Sequence, residues 1–469
     1  MVPKPTPTPS LINVVWGLVP GGSLSLLYLV WALPLLLTLA CVVPPWTNTD
    51  ETFHMLRGVS LAHGHIVGSR FDYDDPHGPP GSGGLSDMAI FAAFDGLARL
   101  SWLPDQPNGE VTAAILARSD AVKWQRTLVP VWFGTTAQYP PFFYLPDVAG
   151  YWIGRAAGLH VNATLRLARC LNALLFAAVA AIAIARARRL RPLLMALLML
   201  PMTIALGASA NQDAGMIATM ALVVAQLDRI AAEQRSARLT ELAWCALGLG
   251  CIAAARPPYV ALLAVLLTAA PGPPGRRAAL VASAGVAAWC AVVAIFVMRP
   301  LNHADPAAQF FGLLADPAAI PAIAANTIRV SFPTYAWEFI GRLAWNDVPL
   351  PAWYLALAGG TLMVCAASSM AGHGLGRRTV LVASLFVIVG IFALLFLDWT
   401  PAGANHVEGV AGRHFIPLAL AAGLALPTWL GAERLRVPAG GCLALLAAVT
   451  PAVMLHHVIF HFYVAMGAP

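Results

Sequence analysis

Apolar runs about as long as a bilayer is thick recur along this chain, separated by short arginine-rich turns. They lie near 24–43, 165–185, 193–208, 213–228, 239–254, 257–271, 278–298, 352–370, 379–397, 415–432 and 438–455. An apolar helix of ~20 residues crosses the hydrocarbon core and pairs its own backbone groups there. A membrane barrel would show short alternating segments instead, and the chain has none. Only 11% of its residues are charged, against ~25% in a soluble domain. The pattern predicts an all-α polytopic membrane protein of about eleven crossings, with residues 1–469 forming one transmembrane domain.

Charge sets the expected orientation. The net charge is +6, but the basic residues sit in turns: Arg186, Arg188, Arg189 and Arg191; Arg235 and Arg238; Arg276 and Arg277; Arg377 and Arg378; Arg434 and Arg436. Such clusters mark cytoplasmic loops, so no nucleic-acid partner is expected. The threading puts the N-terminus inside and the C-terminus outside. The Pro- and Thr-rich start carries Lys4 and no small-residue cleavage site, so the first span is expected to stay as an anchor. The seven cysteines (41, 170, 245, 251, 290, 365, 442) lie in or near apolar runs without CxxC spacing, which offers neither a disulfide framework nor a zinc site.

Residues 44–138 contain no run long enough to cross and are rich in aspartate, so they are read as the first extracytoplasmic loop. Within it, Ser86–Leu103 has amphipathic helical spacing suited to the interface. Tyr139 to Gly158 is read as a juxtamembrane or re-entrant helix, because a full crossing there would place Arg186–Arg191 outside. Residues 299–351 form a second outer loop, with Asp305, Asp316, Glu338, Arg342, Trp345 and Asp347, and Asp398–His414 a third. No internal repeat is visible, which weakens an inverted-repeat transporter.

The chemistry concentrates behind the first span, in Pro44-Pro45-Trp46-Thr47-Asn48-Thr49-Asp50-Glu51-Thr52-Phe53-His54-Met55-Leu56-Arg57. On a helix, Asp50, His54 and Arg57 would share one face. The same threading delivers Arg166 and Arg169, Asn211 to Asp213, Arg256 and Tyr259, and Arg413 and His414 to the outer side. Ionisable groups near the bilayer are costly and are functional candidates by default. A single arginine there is as well explained by snorkelling or by pairing within the bundle. Charge from five separate loops on one face is harder to explain that way.

These residues resemble the GT-C superfamily of polyprenyl-phosphate-sugar glycosyltransferases, which carry an acidic pair just after the first span. They resemble more closely the bacterial membrane family DUF2142. The matching residues are Pro44, Pro45, Asp50, Glu51, His54 and Arg57; Tyr139, Pro140, Pro141 and Tyr144; Arg169 and Asn172; Ser209 to Asp213; Arg256-Pro257-Pro258-Tyr259; Gly341 to Trp345; and Gly409 to Pro417. His414 stands where a Tyr is more usual, and Arg256 where a Lys is. The resemblance implies a GT-C-like bundle in the bacterial cytoplasmic membrane. It also implies transfer of a sugar from a polyprenyl-phosphate donor, held with membrane lipid, to an envelope acceptor outside.

Glycosyl transfer needs one carboxylate to deprotonate the acceptor hydroxyl. Asp50 is the expected base, with Glu51 second or orienting the acceptor. The leaving lipid phosphate needs charge stabilisation, which arginine forks supply. Arg413, Arg256 and Arg169 are the candidates, with Tyr259 an added donor and His54, Arg57, Tyr139, Arg166, Asp213 and His414 completing the substrate-binding set. No cofactor is expected. Asp50, Glu51, His54 and His414 are metal-ligand types, but their spacing does not support a divalent metal. Asp72-Tyr73-Asp74-Asp75 with His77 looks like a ligand run, but the surrounding Gly/Pro-rich stretch, Gly78 to Gly84, reads more simply as a solvated loop, and the Asn162-Ala163-Thr164 sequon carries little by itself. Two other readings stay open: a transporter or flippase for lipid-linked saccharide, and a non-catalytic partner in envelope polysaccharide assembly.

Overall fold

The computed structural model describes residues 21–71, 81–102, 113–299, 304–370 and 375–465. The chain is a helical, polytopic membrane protein. Among the described residues, six helices are long and apolar enough to cross a membrane: Leu24–Val42, Val161–Arg186, Gln212–Ala232, Pro273–Phe296, Arg377–Asp398 and Ala432–Val464. A seventh is added if the pair Pro306–Ala315 and Ala319–Ile340, bent by 119°, counts as one span. Many large apolar side chains on these helices point outward, among them Leu280, Val281, Leu385, Phe386 and Phe332. Lipid is the solvent that suits such faces.

The other expected crossings are short or interrupted. The run 193–208 divides into Arg191–Leu198 and Pro201–Gly207, where Pro201 opens a new helix. The run 257–271 begins as a 3₁₀ helix, Pro257–Ala264, before a short α-helix, Val265–Ala269. The run 415–432 keeps only Ile416–Ala422 as α-helix between two 3₁₀ turns. Irregular backbone at membrane depth is tolerated where protein encloses it, and these segments are largely buried. Periodicity reports apolar content; it does not report a break that neighbouring helices cover.

The most enclosed span is Gln212–Ala232. It packs on Val161–Arg186, which in turn packs on Gly21–Val42 and on Leu145–Ala156. Residues 139–158 thus supply two short helices, Pro141–Tyr144 and Leu145–Ala156, and the longer is 12 residues. Its docking depends on glycines four residues apart. A Cβ on Gly150 would lie 2.7 Å from Ala168 Cα, and one on Gly154 would lie 2.6 Å from Thr164 Oγ1. Close backbone approach of this kind is a recurrent membrane-helix contact. Gly150→Val should therefore cost about 1–3 kcal/mol and lower the unfolding temperature in detergent. An unchanged midpoint would mean the two helices do not pack this tightly.

The first long loop is not all helical. Its helix Ala89–Trp102 lies where the amphipathic spacing placed one, but a three-stranded antiparallel sheet accompanies it. Gly81–Asp87 is the central strand, with Ser69 opposite Gly83 and Gly83 opposite Trp132. The expectation of a solvated loop through Gly84 is corrected here: Gly81–Gly84 is buried strand. The reason is steric, because a Cβ on Gly84 would lie 2.9 Å from Ser60 Oγ and 3.0 Å from Phe133 Cζ. Bare backbone lets the helix Glu51–Ala62 sit on the sheet. The run Asp72–Asp75 with His77 lies outside the described residues. The stretch 299–351, expected as a loop, carries the two bent apolar helices and a two-stranded hairpin, Arg342–Leu343 with Val348–Pro349.

The bundle has two chemically different ends. At one, Arg189 donates to the carbonyls of Gly423, Leu424 and Leu426 and pairs with Asp228, while Arg186 bonds Gln226. Ala237 N bonds Ala269 O, Trp429 N bonds Met370 O, and Gly376 packs on Thr268. Those contacts gather the arginine-rich turns together. The opposite end carries residues 44–57, 209–213, 256–259, 338–347 and 398–414.

Candidate functional site

Asp50 is held in a left-handed turn, φ 57°, just before the helix Glu51–Ala62. Aspartate tolerates that conformation better than most residues. The turn divides two adjacent carboxylates. Glu51 enters the helix and is buried, while the Asp50 side chain stays 38% exposed.

Asp50 Oδ2 accepts a 2.8 Å hydrogen bond from Arg413 Nη2. Arg413 Nε lies 3.7 Å from Asp213 Oδ2, and Asp213 Oδ1 accepts a 2.7 Å bond from Arg256 Nη2. Two aspartates and two arginines from four segments therefore alternate in one row. Asp213 stands in the first turn of Gln212–Ala232, where the helix dipole favours an anion, and Asn211 caps that helix by accepting from Ala214 N. Arg256 ends Leu239–Ala255 where the following prolines stop it.

The turn that presents Arg413 is fixed from behind. Tyr259 Oη donates to His414 O at 2.7 Å, and Gly412 N donates to Glu338 Oε2 at 2.7 Å. A Cβ on Gly412 would lie 2.0 Å from Tyr335 O, so only glycine fits there. Each arginine uses one Nη2 hydrogen bond on a carboxylate. Among the described residues, the other guanidinium donors of both have no hydrogen-bond partner. That leaves N–H groups free to hold an anion.

Aromatic and imidazole groups frame the row. His54 Nδ1 lies 2.7 Å from Tyr144 Oη, and its ring stacks on Tyr139 with centroids 6.1 Å apart. Burial lowers the His54 pKa, and Asp50 and Asp213 oppose the shift without reversing it. His414 is held well below the ordinary value by burial and by Arg256 and Arg413. Tyr139 and Tyr144 are raised by burial and stay neutral. At neutral pH neither imidazole and neither phenol therefore adds a charge to the row.

Both histidines bind a proton more readily unfolded than folded. Stability should therefore fall as pH drops below the ordinary histidine value of 6.5, and recover above it. Unfolding midpoints measured from about pH 4.5 to about pH 8, with His414→Gln and His54→Gln flattening the slope, check this. A midpoint that rises on acidification would contradict it.

Several expected site residues take structural partners instead. Glu51 and Arg169 form a bidentate pair at 2.7 and 2.5 Å, with both side chains 0% exposed. Arg169 also donates to the carbonyls of Ala40, Val43 and Pro44, so all its N–H groups are engaged. Glu51 further accepts from Trp46 N, Asn48 Nδ2 and Ala210 N. Neither is free for a substrate, so the expectations of Glu51 as second base and Arg169 as phosphate ligand give way to a lock between the first span, the outer loop and the helix Val161–Arg186. Arg57 turns away from the row to the carbonyls of His65, Ile66 and Tyr139, and burial lowers its pKa to about 10, which still leaves it charged. Arg166 pairs with Asp120 at 3.2 Å near the surface. No group of three or more histidine, cysteine or acidic side chains suited to a metal occurs among the described residues.

Two hollows lie near the row, the larger reached through the smaller. One, of about 350 Å³, is lined by Tyr139, Arg256 and His414 together with Gln138, Trp289 and Asp398. The other, of about 860 Å³, is an apolar groove between the helices Leu239–Ala255 and Pro273–Phe296, and Ala254 and Trp289 belong to both. Sequence alone assigns neither Asp398, which it places in the third outer loop, nor Gln138 a role in the site. Asp398 is one charge closing a long apolar helix, and only the folded chain shows that it lines the same hollow as Arg256.

No curated protein and no solved structure matches the chain. The family model for a predicted membrane protein, DUF2142, matches residues 33–422, from within the first span to the helix behind Arg413. With most of its length and every residue of the charged row inside that match, the chain belongs to the DUF2142 family.

Proposed function

We propose that this protein is a membrane glycosyltransferase that moves a sugar from a polyprenyl-phosphate donor to an envelope acceptor at the outer face of the bacterial cytoplasmic membrane. The observation that carries this reading is the joined arrangement of a half-exposed carboxylate, two arginines with unused donors and a long apolar groove. Each part matches one demand of the reaction. Asp50 is placed to take the proton of an acceptor hydroxyl. As the acceptor oxygen bonds to the anomeric carbon, the bond from that carbon to the phosphate oxygen breaks, and its electron pair leaves with the lipid phosphate. Arg413 and Arg256 are placed to stabilise that charge. The groove that meets their hollow at Ala254 and Trp289 suits a polyprenyl chain, since apart from Arg277 at its far end its walls are mostly apolar.

The two ends of the bundle support the sidedness. Positive turns favour the cytoplasm, and they lie opposite the charged row. The interrupted helices near Pro201, Pro257 and Ile416 favour a second reading, a transporter for the same lipid-linked saccharide, because broken helices often surround transported substrates. Purified protein in vesicles carrying a panel of polyprenyl-phosphate sugars separates the two. Release of polyprenyl phosphate with glycosylation of an added acceptor supports transfer, whereas movement of intact donor across the bilayer without its cleavage supports transport.

A further inference from the structure

The row of paired charges accounts for a phosphate and a proton, but it leaves two buried polar groups on the adjoining hollow unexplained. Asp398, at the end of the helix Arg377–Asp398, is only 7% exposed. Its Oδ1 has no hydrogen-bond partner among the described residues, and no ion pair with a described cation holds it. Asp50, Glu51 and Asp213 each bond an arginine, whereas Asp398 Oδ1 bonds none among the described residues. Gln138 Nε2 is also enclosed and without a partner among the described residues, while its backbone carbonyl accepts from Trp289 Nε1 at 3.2 Å. Both residues line the same hollow of about 350 Å³. Buried polar atoms without partners are uncommon and costly, and they mark places where a ligand or water completes the bonding.

We infer that this hollow is the sugar subsite, with Asp398 and Gln138 as the groups that read the sugar's hydroxyls. The inference rests on the glycosyltransferase reading above and deepens it. A carboxyl that accepts and a carboxamide that donates complement neighbouring hydroxyls, which do both. Much of the remaining wall is apolar, including Trp289, Val293, Leu394 and Leu395, which suits the C–H face of a pyranose or furanose ring. Arg256 stands at the polar edge of the hollow and Trp289 where it meets the apolar groove. A donor would thus put its phosphate at the arginines, its lipid along the groove and its sugar against Asp398. Asp50 stays outside, on the acceptor's side. Asp398 is a specificity residue here and takes no part in proton transfer.

The test compares bare undecaprenyl phosphate with undecaprenyl-phosphate hexose, N-acetylhexosamine and pentose, binding to the full chain in nanodiscs. The parent should bind at least one sugar-bearing lipid about tenfold more tightly than the bare phosphate. Asp398→Ala should remove that advantage and leave affinity for the bare phosphate within about twofold, with Asp398→Asn in between. Equal losses for bare and sugar-bearing lipid would make Asp398 a packing residue and overturn the subsite. Full retention of the sugar's advantage in both variants would also overturn it, as would a parent that binds the bare phosphate and gains nothing from any of the sugars. A parent that binds none of these lipids would instead overturn the glycosyltransferase reading on which the subsite depends.

Discussion

Asp50→Asn should lower the rate of sugar transfer in reconstituted vesicles by about two to four orders of magnitude, the usual contribution of a positioned general base. The substitution keeps the side chain's size and an oxygen facing Arg413 Nη2, so the turn before Glu51–Ala62 should survive. Affinity for the lipid donor should change much less than the rate, because Arg413 and Arg256 remain. The expected signature is a fall in kcat with KM for the donor nearly unchanged. If the variant turns over like the parent, another group takes the proton. If donor affinity collapses together with the rate, Asp50 mainly orients Arg413, and its place in the reaction is indirect.

The second large effect concerns folding. Arg169→Ala leaves the Glu51 carboxylate buried without its cation, together with the carbonyls of Ala40, Val43 and Pro44 that the guanidinium served. Removing one partner of a buried ion pair costs about 3–5 kcal/mol, comparable to much of a protein's net stability. Purified yield and thermal midpoint should fall sharply, as they should for Glu51→Gln. Replacing both residues at once, with Glu51→Leu and Arg169→Met, should be milder than either single change, because no charge is then stranded. Activity readouts alone would confuse this loss with catalysis. If Arg169→Ala folds at the parent's temperature and only donor binding falls, the pair belongs to the site after all.

The adjacent residues Asp50 and Glu51 show how far the amino-acid order carries. The sequence is enough to locate the charge behind the first span, and enough to set the arginine-rich turns apart from it. It does not say which carboxylate faces out. That depends on a single left-handed turn, and on Arg169 reaching back from a helix more than a hundred residues on. The pairing of Asp50 with Arg413 joins segments 363 residues apart, and no local pattern encodes it. The same holds for Gly81–Gly84, whose glycines look like a flexible loop until the helix that needs their missing side chains is in place. The helices within 304–340 escaped notice for a different reason. Their apolar content was masked by the polar residues flanking them, and Pro333 inside the second helix reads as a stop. The sequence places Asp398 in the third outer loop without a role, because a charge at a helix end is ordinary, and its lack of a partner among the described residues is a property of the folded chain.

The claim on which the rest depends is that Arg413 and Arg256 hold a lipid phosphate. Binding of undecaprenyl phosphate to the purified protein in nanodiscs, compared among the parent, Arg413→Ala and Arg256→Ala, tests it most directly. The account predicts saturable binding to the parent, weakened about tenfold or more by either substitution, in variants whose thermal midpoints show them folded. Parent-like affinity in both folded variants would contradict it.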